Sequence, residues 1–196
     1  QRTQTWQAAP YSSLAKKTLG ILGMGNIGSG IADIAQQFNM NVVALSRRAK
    51  PASANQRHIM HFAPDQLLDM VKQCDFIVNL LPETPRTIGL CDADFFAAIK
   101  PGSVFINVGR GSVIGDYTDL QNALNTGGLR AAVLDVFEQE PLANNHPLYS
   151  QTGMYITNHT AAESLPIKVF EVFTNNAMRY AKGESLLYVH NFKTGY

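Results

Sequence analysis

Gly23-Met24-Gly25-Asn26-Ile27-Gly28 sets three glycines at the spacing GxGxxG. A run of this kind holds an anion with backbone alone. Gly23 permits a tight turn, Gly25 removes the side chain that would keep a diphosphate off the main chain, and Gly28 lets a strand and a helix pack closely. Asn26 and Ile27 fall where a following helix would begin, so that free N–H groups and the positive end of the helix dipole face the phosphates. The pattern gains its force from context, a strand before it and an amphipathic helix after it. About 20 residues further on, such sites usually carry an Asp or Glu that accepts hydrogen bonds from a ribose. Here that place reads Ser46-Arg47-Arg48, with no acid nearby. A carboxylate would repel a ribose 2′-phosphate, whereas a hydroxyl and two guanidiniums would bind it through charge-assisted hydrogen bonds. The residues therefore favour NADP(H) over NAD(H). The competing reading of Arg47 and Arg48 is a solvated loop.

The elements that must position these groups alternate along the chain. Thr18 to Leu22 reads as a buried strand, and Ile27 to Phe38 as a helix with Ile27, Ile31, Ile34, Ala35 and Phe38 at helical spacing. Further strands are expected at Asn41–Leu45, Asp75–Leu81, Ser103–Val108, within Leu129–Phe137 and at Met154–Thr157. Helices are expected at Asp65–Lys72 behind Pro64, at Asp92–Ile99, and at Tyr117–Asn125 with Asp116 as its cap. Leu165, Val169, Val172, Phe173 and Tyr180 mark one face of a closing helix that ends near Lys182-Gly183. This alternation implies an α/β fold, a Rossmann-type doubly wound parallel sheet with helices on both faces. Residues 1–160 form the dinucleotide-binding unit, with 1–16 as an arm ahead of the first strand; 161–196 hold the closing helix and a tail. Trp6 and Tyr11 in the arm either reach a partner subunit or cover their own core.

Composition narrows the classes. The 196 residues are 45% hydrophobic and only 16% charged, and 16 Lys and Arg against 15 Asp and Glu leave a net charge of +1. That balance lacks the footprint of a nucleic-acid or anionic-membrane binder. Apolar stretches fall far short of the roughly 18 residues of a membrane span. Cys74 and Cys91 are too few for a disulfide framework, and no Cys/His cluster suggests a metal, so a reducing, cytoplasmic setting is expected. The chain opens on Gln1, has its first methionine at Met24, and lacks a signal-peptide layout in Gln1 to Pro10; the expectation is a piece of a longer polypeptide.

Five blocks then stand in order: LGILGMGNIG (19–28), NLLPETPRTIGL (79–90), KPGSVFINVGRGSVI (100–114), LDVFEQEPL (134–142) and ITNHTAAES (156–164). Together they resemble the D-isomer-specific 2-hydroxyacid dehydrogenase family. The resemblance implies that Arg110 grips the substrate carboxylate, that Glu140 orients the catalytic histidine, and that His159 is the general acid/base. Asp135 resembles the acid beside the nicotinamide; Leu81, Pro82 and Thr87 resemble the loop along the adenosine and ribose; Val108 and Gly109 resemble the loop near the nicotinamide ring. The chemistry is coherent: hydride transfer creates an alkoxide that needs a proton, which an imidazole can give near neutrality. A guanidinium holds an anionic 2-oxo acid in one orientation. The other histidines, His58 and His61 in a polar loop, His146 before Pro147 and His190 in the tail, read as surface residues.

Two departures stand out: Asn158 replaces the family's usual Pro before the histidine, and Gly115 takes the place of a usual Asp, with Asp116 next. Family members also carry a further hundred or so residues ahead of the segment matching Gln1, most of a substrate domain onto which 161–196 would pack. The implied activity is NADP(H)-dependent reduction of a small 2-oxo acid such as glyoxylate or hydroxypyruvate, in a homodimer formed through the cofactor domain. The alternatives are a dinucleotide-binding module without turnover, acting as a sensor or interaction protein, and a phosphoglycerate dehydrogenase, which differs only in substrate.

Overall fold

The computed structural model describes residues 11–46, 59–162 and 164–192. Trp6, Arg47, Arg48 and His58 lie outside the described residues. Among the described residues seven strands form one sheet: β1 (Thr18–Leu22), β2 (Asn41–Leu45), β3 (Met60–Phe62), β4 (Phe76–Asn79), β5 (Ser103–Asn107), β6 (Leu129–Leu134) and β7 (Met154–Ile156). All are parallel, in the spatial order β3-β2-β1-β4-β5-β6-β7. Five α-helices accompany them among the described residues: α1 (Asn26–Gln37), α2 (Leu67–Val71), α3 (Ala93–Ala98), α4 (Tyr117–Asn125) and α5 (Pro166–Ala181). This is the Rossmann-type α/β arrangement the alternation predicts.

The central strands are continuous apolar runs because both faces of the sheet are covered. Successive residues feed opposite cores. Ile21, Val42, Ala44 and Val78 pack with Ala32 and Ala35 of α1, while Leu22, Val43, Leu45 and Ile77 join Met70, Phe95, Phe105 and Leu120 beneath α2, α3 and α4. Phe95, Phe96 and Phe105 meet edge to face with ring centroids 5.1 to 5.8 Å apart, the geometry aromatic quadrupoles favour. Asp92 and Asp116 cap α3 and α4, accepting from the N–H groups of Phe95 (2.9 Å) and Thr118 (2.7 Å).

Four expectations need correction. The face of α1 that meets the sheet is Gly28, Ala32 and Ala35, whereas Ile27, Ile34 and Phe38 are 62, 58 and 56% exposed. The helix starts too close to the sheet for large side chains there, since a Cβ on Gly28 would lie 2.3 Å from the Gly23 carbonyl oxygen. His61 sits in β3, paired opposite Ala44, and is half-buried. His146 is also half-buried: its Nδ1 accepts from the Leu148 N–H at 3.3 Å, and its ring meets Tyr117 edge to face. Strand β4 is also shorter than Asp75–Leu81. Asp75 turns its carboxylate to the Thr18 N–H and the Lys100 Nζ, both at 2.8 Å, and Asn79 bends the chain by accepting from the Leu81 N–H at 3.2 Å.

The aromatic trio predicts one stability result. Phe105 is fully buried, so Phe105→Ala is expected to lower the unfolding free energy by about 3–5 kcal/mol. A urea titration should show an earlier midpoint at unchanged slope.

Candidate active site

The strands end together. Leu22 is opposite both Leu45 and Asn79, Asn79 opposite Asn107, Asn107 opposite Leu134, and Leu134 opposite Ile156. Every candidate residue described in the structure follows one of these ends. The order of the sheet reverses between β1 and β4, and in open α/β sheets ligands bind outside the carboxyl ends of the strands at that switch point.

The turn after β1 meets the demands of a diphosphate. Gly23 has φ +107°, in the region glycine tolerates. Gly25 is the N-cap of α1, and a Cβ there would meet open space. The cap position makes no side-chain hydrogen bond, and the first turn holds no acidic residue. The leading N–H groups and the helix dipole are thus available to an anion. Asn26 and Ile27 are exposed beside the turn, and Gly28 is buried under it. The Gly23 N–H donates to the Leu45 carbonyl at 3.3 Å, which sets Ser46 next to the glycine turn.

Two buried amides shape the next two loops. Asn79 Nδ2 donates to Asn107 Oδ1 at 2.9 Å, and Asn107 Nδ2 donates to the Arg110 carbonyl at 3.0 Å. The Leu81 N–H donates to Asn79 Oδ1 and the Gly109 N–H to Asn107 Oδ1, each at 3.2 Å. Gly109 is then pressed against the other loop, where a Cβ would come within 2.9 Å of the Leu81 carbonyl oxygen. Leu81, Pro82, Val108 and Gly109 accordingly lie side by side. Thr87 acts within its own loop, its hydroxyl donating to the Pro82 carbonyl at 2.6 Å. The loop is zipped onto the turn after Arg110 by the Gly89 and Cys91 N–H groups, which donate to Ser112 and Val113 carbonyls at 2.8 Å.

Arg110 is exposed, with Nη1 donating to the Gly109 carbonyl at 2.6 Å. Gly111 fixes what lies behind it: a Cβ would fall 1.9 Å from the Phe137 carbonyl carbon and 2.2 Å from the Glu138 nitrogen. The backbone after Arg110 therefore touches the backbone leading to Glu140. One Glu140 oxygen, Oε1, accepts from the Phe137 N–H at 2.9 Å, and the other, Oε2, lies 2.7 Å from His159 Nδ1. The His159 bond, then the Phe137 N–H, holds the Glu140 pKa below the usual carboxylate value. His159 has φ +57°, a left-handed conformation that is uncommon for a residue with a Cβ.

Asp135 explains how that conformation is kept. It is buried, and its oxygens accept from the Thr157 hydroxyl and from the Thr160 and Ala161 N–H groups at 2.9 and 3.0 Å. Its own carbonyl accepts the His159 N–H at 2.8 Å. Burial alone would raise the Asp135 pKa, but these bonds and the charge of His159 leave it lowered. Sequence reasoning missed Asn79, Asn107 and Gly111. The available signal was a single asparagine inside each of two apolar runs, at Phe76–Leu81 and Val104–Val108, a polar side chain amid strand residues buried on both faces.

The geometry thus joins an anion-binding helix end to a His–Glu pair and an exposed guanidinium along one sheet edge. Residues 1–161 match the D-isomer specific 2-hydroxyacid dehydrogenase, NAD binding domain. The chain belongs to this dehydrogenase family. It is 34% identical to glyoxylate/hydroxypyruvate reductase A of Photorhabdus laumondii, a match over all of this chain and 61% of that protein. A D-isomer specific 2-hydroxyacid dehydrogenase family protein from Aeromonas salmonicida superposes with a TM-score of 0.88 at 40% identity, over 97% of this chain and 60% of that one. NADPH-dependent glyoxylate/hydroxypyruvate reductase from Sinorhizobium meliloti, in complex with NADP and sulfate, superposes with a TM-score of 0.90 at 30% identity, over all of this chain and 62% of that one. The chain spans about 61% of the length of the curated dehydrogenase relatives it matches.

The Asp135 clamp carries a prediction with a definite sign. A carboxylate whose pKa is lowered on folding stabilises the protein above the ordinary value of 3.8, and that contribution is lost as the pH falls through the folded value. Asp135→Asn should destabilise the chain near neutrality by about 1–3 kcal/mol. It should also flatten the part of the stability loss that sets in below about pH 5 and continues below the ordinary value of 3.8, read from urea melts at each pH.

Proposed function

We propose that this chain is the cofactor-binding portion of an NADP(H)-dependent reductase of small 2-oxo acids. The observation that carries this reading is the 2.7 Å contact between His159 Nδ1 and Glu140 Oε2, held along the same sheet edge as the open N-terminus of α1. The glycine turn fits a dinucleotide diphosphate, because Gly25 leaves room for it and the helix end is uncapped. Gly23, Gly25, Asn26, Ile27 and Gly28 would hold the diphosphate, and Ser46, Arg47 and Arg48 the ribose 2′-phosphate. Leu81, Pro82, Thr87, Val108, Gly109 and Asp135 would line the rest of the cofactor's path. When bound, the reduced nicotinamide supplies the hydride that turns the carbonyl of a 2-oxo acid into an alcohol.

The protein's own residues do the rest. Arg110 binds the substrate carboxylate through its planar guanidinium and aligns the carbonyl. His159 delivers a proton from Nε2 to the carbonyl oxygen as it becomes an alcohol oxygen. Glu140, on Nδ1, fixes the tautomer that leaves this proton on Nε2 and stabilises the imidazolium. The names of the relatives, glyoxylate/hydroxypyruvate reductases, support glyoxylate or hydroxypyruvate as substrate. The complex of the Sinorhizobium enzyme with NADP supports the cofactor preference. The same reading places 161–196 against a substrate domain, supported by α5, none of whose residues is buried although Val169, Phe170 and Phe173 are apolar. It includes a homodimer formed through this unit, which rests on the family.

One observation favours a second reading for this chain taken alone, a dinucleotide-binding module without turnover. Arg110 and His159 are both exposed, and water at a site delivering hydride and proton is what a closing domain removes.

Two experiments test the residue roles of the first reading. Calorimetric titration of the chain should give tighter binding of NADPH than of NADH, and Arg47→Ala with Arg48→Ala should cost NADPH at least about tenfold while sparing NADH. Equal losses for both cofactors would reject the 2′-phosphate assignment. In the whole protein, His159→Ala should keep NADPH affinity and lower kcat for glyoxylate by about 10²–10⁴-fold. Turnover at the unmodified rate would reject the proton-donor role.

A further inference from the structure

The end of β2 carries a group that the reading above leaves unused. His61 stands opposite Ala44 in the parallel pairing of β3 with β2. Ser46 lies two residues beyond Ala44, so its side chain leaves on the same side of the sheet as those of Ala44 and His61. Ser46 Oγ and His61 Nδ1 are 3.0 Å apart, and the Ser46 N–H donates to the Phe62 carbonyl at 3.0 Å. Ser46 is thus tied to β3 by both backbone and side chain, and both residues are half-buried. The bond from the Gly23 N–H to the Leu45 carbonyl keeps this pair beside the glycine turn.

A serine hydroxyl has one hydrogen to give and lone pairs to receive. If His61 Nδ1 accepts, that hydrogen is spent on the imidazole. If Nδ1 carries the hydrogen, it donates to Oγ, and the hydroxyl hydrogen turns to another acceptor. A phosphate offers only acceptors, so it needs the second arrangement. A ribose hydroxyl both donates and accepts, so either arrangement of Ser46 serves it. We propose that His61 is a specificity-determining residue for the ribose 2′-phosphate: it donates from Nδ1 to Ser46 Oγ, and the Ser46 hydroxyl donates to the phosphate. The proposal rests on the NADP(H) reading above and adds a residue to it.

The test compares amide donors placed at two points. The Asn side-chain N–H falls near the position of Nδ1, and that of Gln near the position of Nε2. His61→Asn should therefore keep most of the preference for NADPH. His61→Gln and His61→Leu should lose NADPH affinity by up to about tenfold, because the Ser46 hydroxyl loses the donor that turns its hydrogen to the phosphate, while NADH affinity changes less than about twofold. Ser46→Ala should lose NADPH affinity about tenfold, the worth of one charge-assisted hydrogen bond, and adding His61→Leu to it should cost little more, because His61 acts through Ser46. Calorimetric titration of the chain with each cofactor reads all of these, with thermal melts confirming folding. If His61→Leu fails to fold, the Asn and Gln pair decides. Equal losses for both cofactors, or no change, in variants of a chain that prefers NADPH would overturn the role of His61. An unmodified chain without NADPH preference would overturn the cofactor reading itself, and with it this inference.

Discussion

The bond between Asn79 and Asn107 is the constraint on which the site depends. Both side chains are fully buried at the ends of neighbouring strands. A buried amide without partners costs roughly 1–3 kcal/mol, so the chain must supply them. It does so by bending two loops inward: the Leu81 and Gly109 N–H groups and the Arg110 carbonyl all turn toward the pair. The path of the loops that flank the sheet's switch point is therefore dictated from beneath, by hydrogen-bond satisfaction inside the core. The side chain of Arg110 is left exposed above a backbone that has one place to go.

A second anchor of the same kind works from the end of the next strand. Asp135 follows β6 and holds the loop that follows β7, binding through its side chain to Thr157, Thr160 and Ala161 and through its carbonyl to His159. A positive φ at a residue with a Cβ persists only where its surroundings over-determine it, and these bonds do so. Gly111 joins the two anchors. Its missing side chain lets the segment after Arg110 lie against Phe137 and Glu138, and the Phe137 N–H in turn holds Glu140. The guanidinium and the imidazole thus belong to one connected set of backbone contacts.

What could be read from the sequence follows from this construction. Strands β1 and β2 match their expected bounds because both faces are buried, so their residues form unbroken apolar runs. Strand β3 escaped because it has only three residues, Met60, His61 and Phe62, too few and too mixed for any period. The inward face of α1 was misjudged because isoleucines dominate the helical pattern, while the close approach at Gly28 selects small residues. Gly23, Gly25 and Gly28 were legible since their work is local to one turn. The pairing of Asn79 with Asn107 was not, because it is a property of register between residues 28 apart in sequence. The same holds for Ser46 and His61, which meet only once β3 is placed.

The two halves of the site are built on opposite principles. The half proposed for phosphates uses the absence of side chains: Gly25 leaves room, Gly28 lets the helix sit low, and the helix end is left uncapped. Conformational freedom lost at these glycines is fixed once, on folding. The half that carries the exposed guanidinium and imidazole uses side chains whose backbone is held from the buried side while their outer ends stay open, as with Arg110 above Asn107 and His159 above Asp135. This division leaves little room for change at Asn79, Asn107, Gly111 and Asp135, while Arg110 and His159 stay exposed. It also explains why Glu140 is only partly exposed: a carboxylate that is to hold an imidazole must itself be held, and the Phe137 N–H does that from the protein side.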